Sequence, residues 1–317
     1  MNYTLPFLDQ AKSMPKYFFL LRAFGHFKIP FLSDYSKQRI LHLFANKNNP
    51  HPARWKQFYY EVKNNGVLYS GFLGNYIDWF AFFFGADEKN LLENIYKPIL
   101  ATSADPIYID VGGNIGHHAL YLSRHASLIH SFEPVSTCLA EFRRKVSRAD
   151  VSNIVLHDYA IGESDYDAEI NCSVGFNGGT NSFSKEHDSA NTRVELVRVK
   201  AFDNLDLPEL ARSVLVKIDV EGFEYAALSG MIQFLVKTRP FVMCELSAQS
   251  LKMFQLNNSS LKTMLPHDYI FLDADKLSLR PRINWRLNYL RSFQICHDFR
   301  GNVLCAPLER LNSLRKF

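Results

Sequence analysis

The chain has 317 residues, 47% hydrophobic and 21% charged, with a formal net charge of +4. That length buries a substantial core and suits one α/β domain with an extension, and the composition excludes a disordered chain. The mild positive charge tolerates an anionic substrate or surface but falls short of a nucleic-acid footprint, so no nucleic-acid partner is expected. The five cysteines (Cys138, Cys172, Cys244, Cys296, Cys305) are scattered and form no C-x-x-C pair. Neither a zinc ribbon nor a disulfide framework is suggested, which points to reduced thiols in the cytoplasm. The apolar run Tyr17–Leu21 stops at Arg22, too soon for a signal peptide, and the segment Ile77–Ala86 contains Asp78 and is too short to span a bilayer.

Residues 1–65 are rich in aromatic and basic side chains (Lys16 to Arg22, Lys28 to Phe31) and are punctuated by Pro30 and the Asn-Asn-Pro-His-Pro stretch at 48–52. They read as an N-terminal helical extension, one or two short helices docking on a main domain at 66–317. The sharper alternative is an interfacial segment giving peripheral contact with anionic lipid headgroups. A helical pattern from Leu91 to Leu100 then leads into alternating elements. Strands are expected at Ile107–Val111, Leu128–Phe132 and Asn153–His157, with helices at Ile115–Arg124 and Val135–Val146. Two β segments (Ala168–Cys172, Val194–Val199) flank a polar, glycine-bearing insertion. Next come a strand at Val214–Asp219, a helix at Phe223–Val236 and a strand at Phe241–Leu246; two short strands, Tyr269–Leu272 and Asn302–Cys305, close the chain. Such alternation implies a doubly wound, mostly parallel sheet with helices on both faces.

Three constellations carry chemistry. In Asp110-Val-Gly-Gly-Asn-Ile-Gly116 a strand delivers a carboxylate, and a glycine turn opens into a helix. Gly112 and Gly113 are free to adopt positive φ, and Gly116 lets the helix lie close on the strand. About twenty residues on, Glu133 ends the next strand, where a carboxylate can hold ribose hydroxyls. A dinucleotide fingerprint needs G-x-G-x-x-G. Here its second glycine position holds Asn114 in one register and Ile115 in the other, which disfavours NAD and FAD. S-adenosylmethionine has no phosphate and suits Asp110, Asn114 and Glu133 better, with Asp158 or Ala160 expected near its adenine. The second constellation, Val216-Lys-Ile-Asp-Val-Glu-Gly-Phe-Glu224, again ends a strand in carboxylates. Asp219 and Glu221 are the candidates for orienting or deprotonating an acceptor hydroxyl. Glu224, in a first helical turn, suits the helix dipole. In the third set, Glu245 ends the neighbouring strand, and Asp219 with Glu245 are the candidate ligands of a divalent cation. His117, His118 and His187 are further candidates for the cleft, and the insertion 177–187 for a cover on its acceptor side. The arginines at 280, 282, 286, 291 and 300 read as a solvated basic face.

These motifs, with Phe132-Glu-Pro134, Ala160-Ile-Gly162 and the strand leading from Pro240 to Glu245, resemble the FkbM-type methyltransferases over about residues 66–250. Asn302-Val-Leu-Cys-Ala-Pro307 resembles that family's last strand. The resemblance implies a class I methyltransferase (Rossmann-like) fold and an S-adenosylmethionine-dependent O-methyltransferase. The expected acceptor is a sugar hydroxyl in a glycan or glycoconjugate; the rival readings are a methyltransferase of protein or lipid at a membrane surface, suggested by the N-terminal segment, a non-catalytic nucleoside-binding module, and a nicotinamide oxidoreductase, which the glycine pattern disfavours. Two departures stand out. Gly113 replaces the family's usual alanine, a change expected to be harmless, and Ser247 stands where many members carry a histidine two residues after the glutamate matched by Glu245.

Overall fold

The computed structural model describes residues 16–27, 32, 36–37, 39–41, 58–173, 181–183, 192–247, 259–279 and 300–311. Helix α1 (Tyr17–His26) precedes a hairpin of β1 (Tyr59–Asn64) and β2 (Val67–Phe72), helix α2 (Tyr76–Phe84), and α3 over residues 89–100, whose middle widens into a π turn at Leu92–Tyr96. Then come β3 (Ile107–Val111), α4 (His117–Leu122), β4 (Leu128–Phe132), α5 (Ser136–Ala149) and β5 (Ile154–His157). The insertion holds β6 (Ala160–Gly162), β7 (Tyr166–Ser173) and β8 (Thr192–Ala201); β9 (Ser213–Ile218), α6 (Glu224–Ser229), α7 (Ile232–Thr238) and β10 (Phe241–Leu246) follow. The chain ends in α8 (Ser259–Met264), β11 (Tyr269–Asp273), α9 (Ala274–Ser278) and β12 (Gly301–Pro307).

Seven strands form the main sheet in the order β11-β12-β10-β9-β3-β4-β5. β10, β9, β3, β4 and β5 run parallel, while β12 is antiparallel to both of its neighbours. Both faces are covered, which is why these strands read as nearly unbroken apolar runs rather than alternating ones. Ile107, Ile109 and Val111 pack with Val216 and Ile218 on one face, and Tyr108 and Leu215 with Phe241 and Met243 on the other. From β3 the chain winds outward through β4 and β5, then returns to lay β9 on the other side of β3. The winding therefore reverses between β3 and β9, and a crevice opens outside their carboxyl ends. This is the doubly wound class I methyltransferase sheet.

The expected strands are all present. The helix expected over Phe223–Val236 is instead two, α6 and α7, broken at Gly230, where a Cβ would collide with the carbonyl oxygen of Gly162. Asp203 restarts the chain as a helix by accepting from the amides of Gln233 (2.9 Å) and Phe234 (2.8 Å). β7 pairs antiparallel with β8, which also takes β6, so the insertion builds a separate three-stranded sheet.

The hairpin β1–β2 was not expected, yet Asn65-Gly66 (φ 50° and 78°) is a two-residue hairpin signal, and residue 65 sits in its turn. In α2, Asn75 Oδ1 accepts from the amide of Asp78 and Gly85 ends the helix at φ 91°. Helix α1 lies on α2, with Phe18 buried and Tyr17, Phe19 and Leu20 exposed. The buried ion pair Asp78–Lys145 ties α2 to α5, and Arg144 donates to Tyr59 Oη (3.0 Å) and Ser70 Oγ (3.1 Å). Cys138, Cys172, Cys244 and Cys305 are buried free thiols; Cys296 lies outside the described residues, as does the basic face apart from Arg300, which is exposed. No described helix is long and apolar enough to cross a membrane.

Candidate active site

The carboxyl ends of β3, β4, β9 and β10 open into a cavity of about 450 Å³, within the roughly 300–1,000 Å³ usual for small-molecule sites. The first turn shapes its floor. Gly112 (φ 86°) is required because a Cβ would strike the carbonyl oxygen of Asp219, and Gly116 (φ 84°) because a Cβ would enter the Phe142 ring. Gly113, contrary to expectation, has no positive φ; its Cβ position is taken by Ser131 Oγ, with Phe142 beside it. Asn114 is held left-handed at φ 48°, its amide donating to Glu133 Oε2 (2.8 Å) and its buried Oδ1 lacking a hydrogen-bond partner.

Glu133 is 6% exposed and also accepts from the amide of Val135 (2.9 Å). Burial pushes its carboxyl up to about 7 against the pull of those two amides. Each oxygen takes one amide and keeps a further acceptor site, which fits a vicinal diol. Asp110 is 1% exposed, accepting from Ser131 Oγ (3.1 Å) and Tyr108 Oη (3.3 Å). Ala160 lines the cavity. Asp158 does not: its carboxylate turns to Arg198 (2.7 Å) at the surface.

Across β9 the acidic residues divide by electrostatics. Sheet register sets Lys217 beside Asp110, and its ammonium lies 2.9 Å from Asp219, 3.8 Å from Asp110 and 3.4 Å from the carbonyl oxygen of Gly112. Burial opposes ionisation of Asp219, but Lys217 and a hydrogen bond from Glu245 outweigh it and hold the group at about 2. Glu245, beside Asp219 because β10 lies next to β9, is driven up to about 10 by the Asp219 charge and by burial, so it serves as a neutral acid donating to Asp219. Glu221, left-handed at φ 51°, is raised to about 7 by burial and by Asp219 and Glu224. The candidate cation ligands are thus bonded to one another, with a lysine supplying the positive charge. Among the described residues no group of three or more His, Cys, Asp or Glu is placed to hold a metal ion.

Sequence reasoning missed the N-terminal contribution. Asp87 and Glu88 line the same cavity, as do His117 and His118 of α4. His117 Nε2 lies 3.0 Å from the amide of Asp87, and burial keeps the ring neutral by depressing its pKa. His118 Nε2 lies 3.2 Å from Glu88 Oε2. Burial and the adjacent Glu88 raise Asp87 to about 7. Among the described residues six non-glycine residues have positive φ, and Glu88 (46°), Asn114 and Glu221 are the three of them that line this cavity. Such conformations cost of order 1 kcal/mol each and collect at functional sites, a signal that only the backbone carries. Asn181 and Phe183 of the insertion line the cavity as well; His187 lies outside the described residues.

A carboxylate-lined cavity at the β3–β9 reversal of this sheet defines a class I methyltransferase domain. The methyltransferase FkbM domain matches residues 110–272, more than half of the chain, and the protein belongs to that family. It is 26% identical over 147 residues to Methyltransferase 1 of Beauveria bassiana, covering 40% of this chain and 59% of that protein. It is 29% identical over 144 residues to the hexuronic acid methyltransferase AglP of Haloferax volcanii, covering 45% of this chain and 57% of that one. The matches thus span less than two thirds of either relative. The FkbM methyltransferase structure from Methylobacillus flagellatus KT shares 18% identity, covering 63% of this chain and 43% of that chain, at a TM-score of 0.39.

Proposed function

We propose that this protein is an S-adenosylmethionine-dependent O-methyltransferase acting on a hydroxyl of a sugar in a glycan or glycoconjugate. The observation that carries the reading is the cavity itself. Asn114 stands where a pyrophosphate would need bare backbone, and among the described lining residues seven carboxyl groups face one buried lysine. Such a lining suits a ligand of net positive charge rather than a diphosphate. In this reading Glu133 takes the ribose hydroxyls, while Asp110 and the unpartnered Oδ1 of Asn114 meet the amino-acid moiety. Gly112, Gly113 and Gly116 shape the turn, and Ala160 lies by the adenine. That the acceptor is a sugar, whatever its charge, is supported by the relative named for hexuronic acid.

When bound, the cofactor supplies an electrophilic methyl on a sulfonium. With the cofactor in place, Glu221 would take the proton that the acceptor hydroxyl gives up as its oxygen receives that methyl. Held near 7, Glu221 is about half ionised at neutral pH and basic enough to take a proton. Asp219 is too acidic for that work and instead supplies fixed negative charge beside the reacting centre.

Calorimetry with S-adenosylhomocysteine against NAD, followed by labelled S-adenosylmethionine with glycan, protein and lipid fractions, tests the reading. S-adenosylhomocysteine binding and label in glycan are expected. NAD binding alone would sink it, and cofactor binding with no label in any fraction would leave a binding module. Glu221→Gln should lower kcat by about 10²-fold or more while S-adenosylhomocysteine affinity stays within about threefold. The wild-type rate should rise with pH through about 7, a limb that the variant loses.

A further inference from the structure

We infer that the acceptor end of the cavity is completed by Glu88, from outside the matched family domain, and that it selects a neutral sugar with no carboxylate or phosphate beside the methylated hydroxyl. The inference rests on the methyltransferase reading above and names its substrate class. Sheet order separates the two ends of the cavity. Glu133 and Asn114 meet at the β4 side, while Asp219, Glu221 and Glu245 rise from β9 and β10, where Glu88 joins them through Asn302, the residue opposite Glu245 in the β10–β12 register.

Glu88 is fixed rather than flexible. Its Oε2 lies 3.2 Å from His118 Nε2, and its Oε1 accepts from Asn302 Nδ2 at 3.2 Å. Asn302 is itself anchored by Asp275, through its amide (2.9 Å) and its Nδ2 (3.1 Å). The Glu88 side chain remains 33% exposed. A carboxylate so held can only accept, so it recognises donors, and sugar hydroxyls are the donors a glycan offers. His118 supplies an independent sign of a ligand: it is 8% exposed, lines the cavity, and its Nδ1 has no hydrogen-bond partner.

Among the described lining residues, the same end has no uncommitted Lys or Arg to offer an anion. Lys217 is the one Lys or Arg among the described lining residues, and it is 6% exposed and already engaged by Asp219, Asp110 and the carbonyl oxygen of Gly112. An acceptor carboxylate placed there would meet the carboxyl groups of Asp219 and Glu88, whose partners Lys217 and His118 are already engaged, which suppresses binding of the wrong partner.

The test uses the full chain, labelled S-adenosylmethionine, and two matched probe sets, neutral hexose oligosaccharides and their uronic-acid counterparts. The neutral set should be labelled at least about 100-fold faster, the scale of repulsion from like charges. Glu88→Gln should raise KM for the neutral set by about 10-fold, the loss of a charged hydrogen bond, and should narrow the neutral-to-uronic ratio. S-adenosylhomocysteine affinity should stay within about twofold of wild type, since the residue lies away from the ribose end. Equal labelling of the uronic set, or a variant with unchanged KM and ratio, would overturn the inference. So would S-adenosylhomocysteine binding with no label on either set, an outcome that leaves the cofactor reading standing; loss of that binding in the wild type overturns the reading itself. Should Glu88→Gln fail to melt cooperatively, Asn302→Ala, which frees the carboxylate without removing it, carries the same comparison and should raise KM alone.

Discussion

At Gly113 a missing methyl and a neighbouring hydroxyl share one small volume. Ser131 Oγ occupies the space a Cβ would need, and from there it donates to Asp110 at 3.1 Å. The exchange of the family's alanine for glycine is therefore harmless only alongside this serine. Gly113→Ala alone should cost about 1–3 kcal/mol by overpacking. Combining it with Ser131→Ala should recover most of that loss in urea unfolding; purely additive losses would refute the shared space. The turn was legible in the sequence because its geometry is local, whereas Ser131 comes from another strand. The acidic residues divide similarly. Sequence named Asp219 and Glu221 as equivalents, but Lys217, two residues from Asp219 and hence on the same face of β9, makes one a fixed anion and leaves the other a base. That spacing is a signal readable in the sequence.

Elements were legible where periodicity is strong and obscure where a neighbour decides. No propensity breaks the Phe223–Val236 helix sharply; the close approach of the β6 backbone at Gly230 does. The N-terminal unit is likewise secured by a contact that its sequence does not announce, Asp78 on α2 with Lys145 on α5, at 3% and 1% side-chain exposure. Lys145→Met strands a buried carboxylate and should lower stability by about 3–5 kcal/mol. Adding Asp78→Asn should restore part of it, because the amide needs no counter-charge. A double variant no more stable than the single one in denaturant unfolding would show that the pair does not matter.

For the molecule as a whole, the crowding of carboxyl groups sets a pH dependence. Asp87, Glu133 and Glu221 rise from ordinary values of 3.8 or 4.5 to about 7 on folding. Between those values the folded chain binds more protons than the unfolded one, so their contribution falls as pH rises. Glu245, raised to about 10, extends the fall into alkali, while Asp219, held near 2, adds stability that is lost only in strong acid. The Tm of the cofactor-free protein should therefore decline from about pH 7 to about pH 9, above the range in which histidines with depressed pKa, such as His117 and His157, add stability as pH rises. Cationic S-adenosylmethionine should raise it more at pH 8 than at pH 6; scanning fluorimetry showing a flat or rising Tm would contradict this charge assignment.

By itself the sequence determined the alternation of strands and helices, the turn at Gly112 to Gly116 and the carboxylates at strand ends, because each is written in neighbouring residues. Only the tertiary structure decided that β9 returns beside β3, that Lys217 sits among the acids and that Glu88 reaches the cavity. Those facts depend on strand order and on contacts across many residues of chain, and neither periodicity nor spacing carries them.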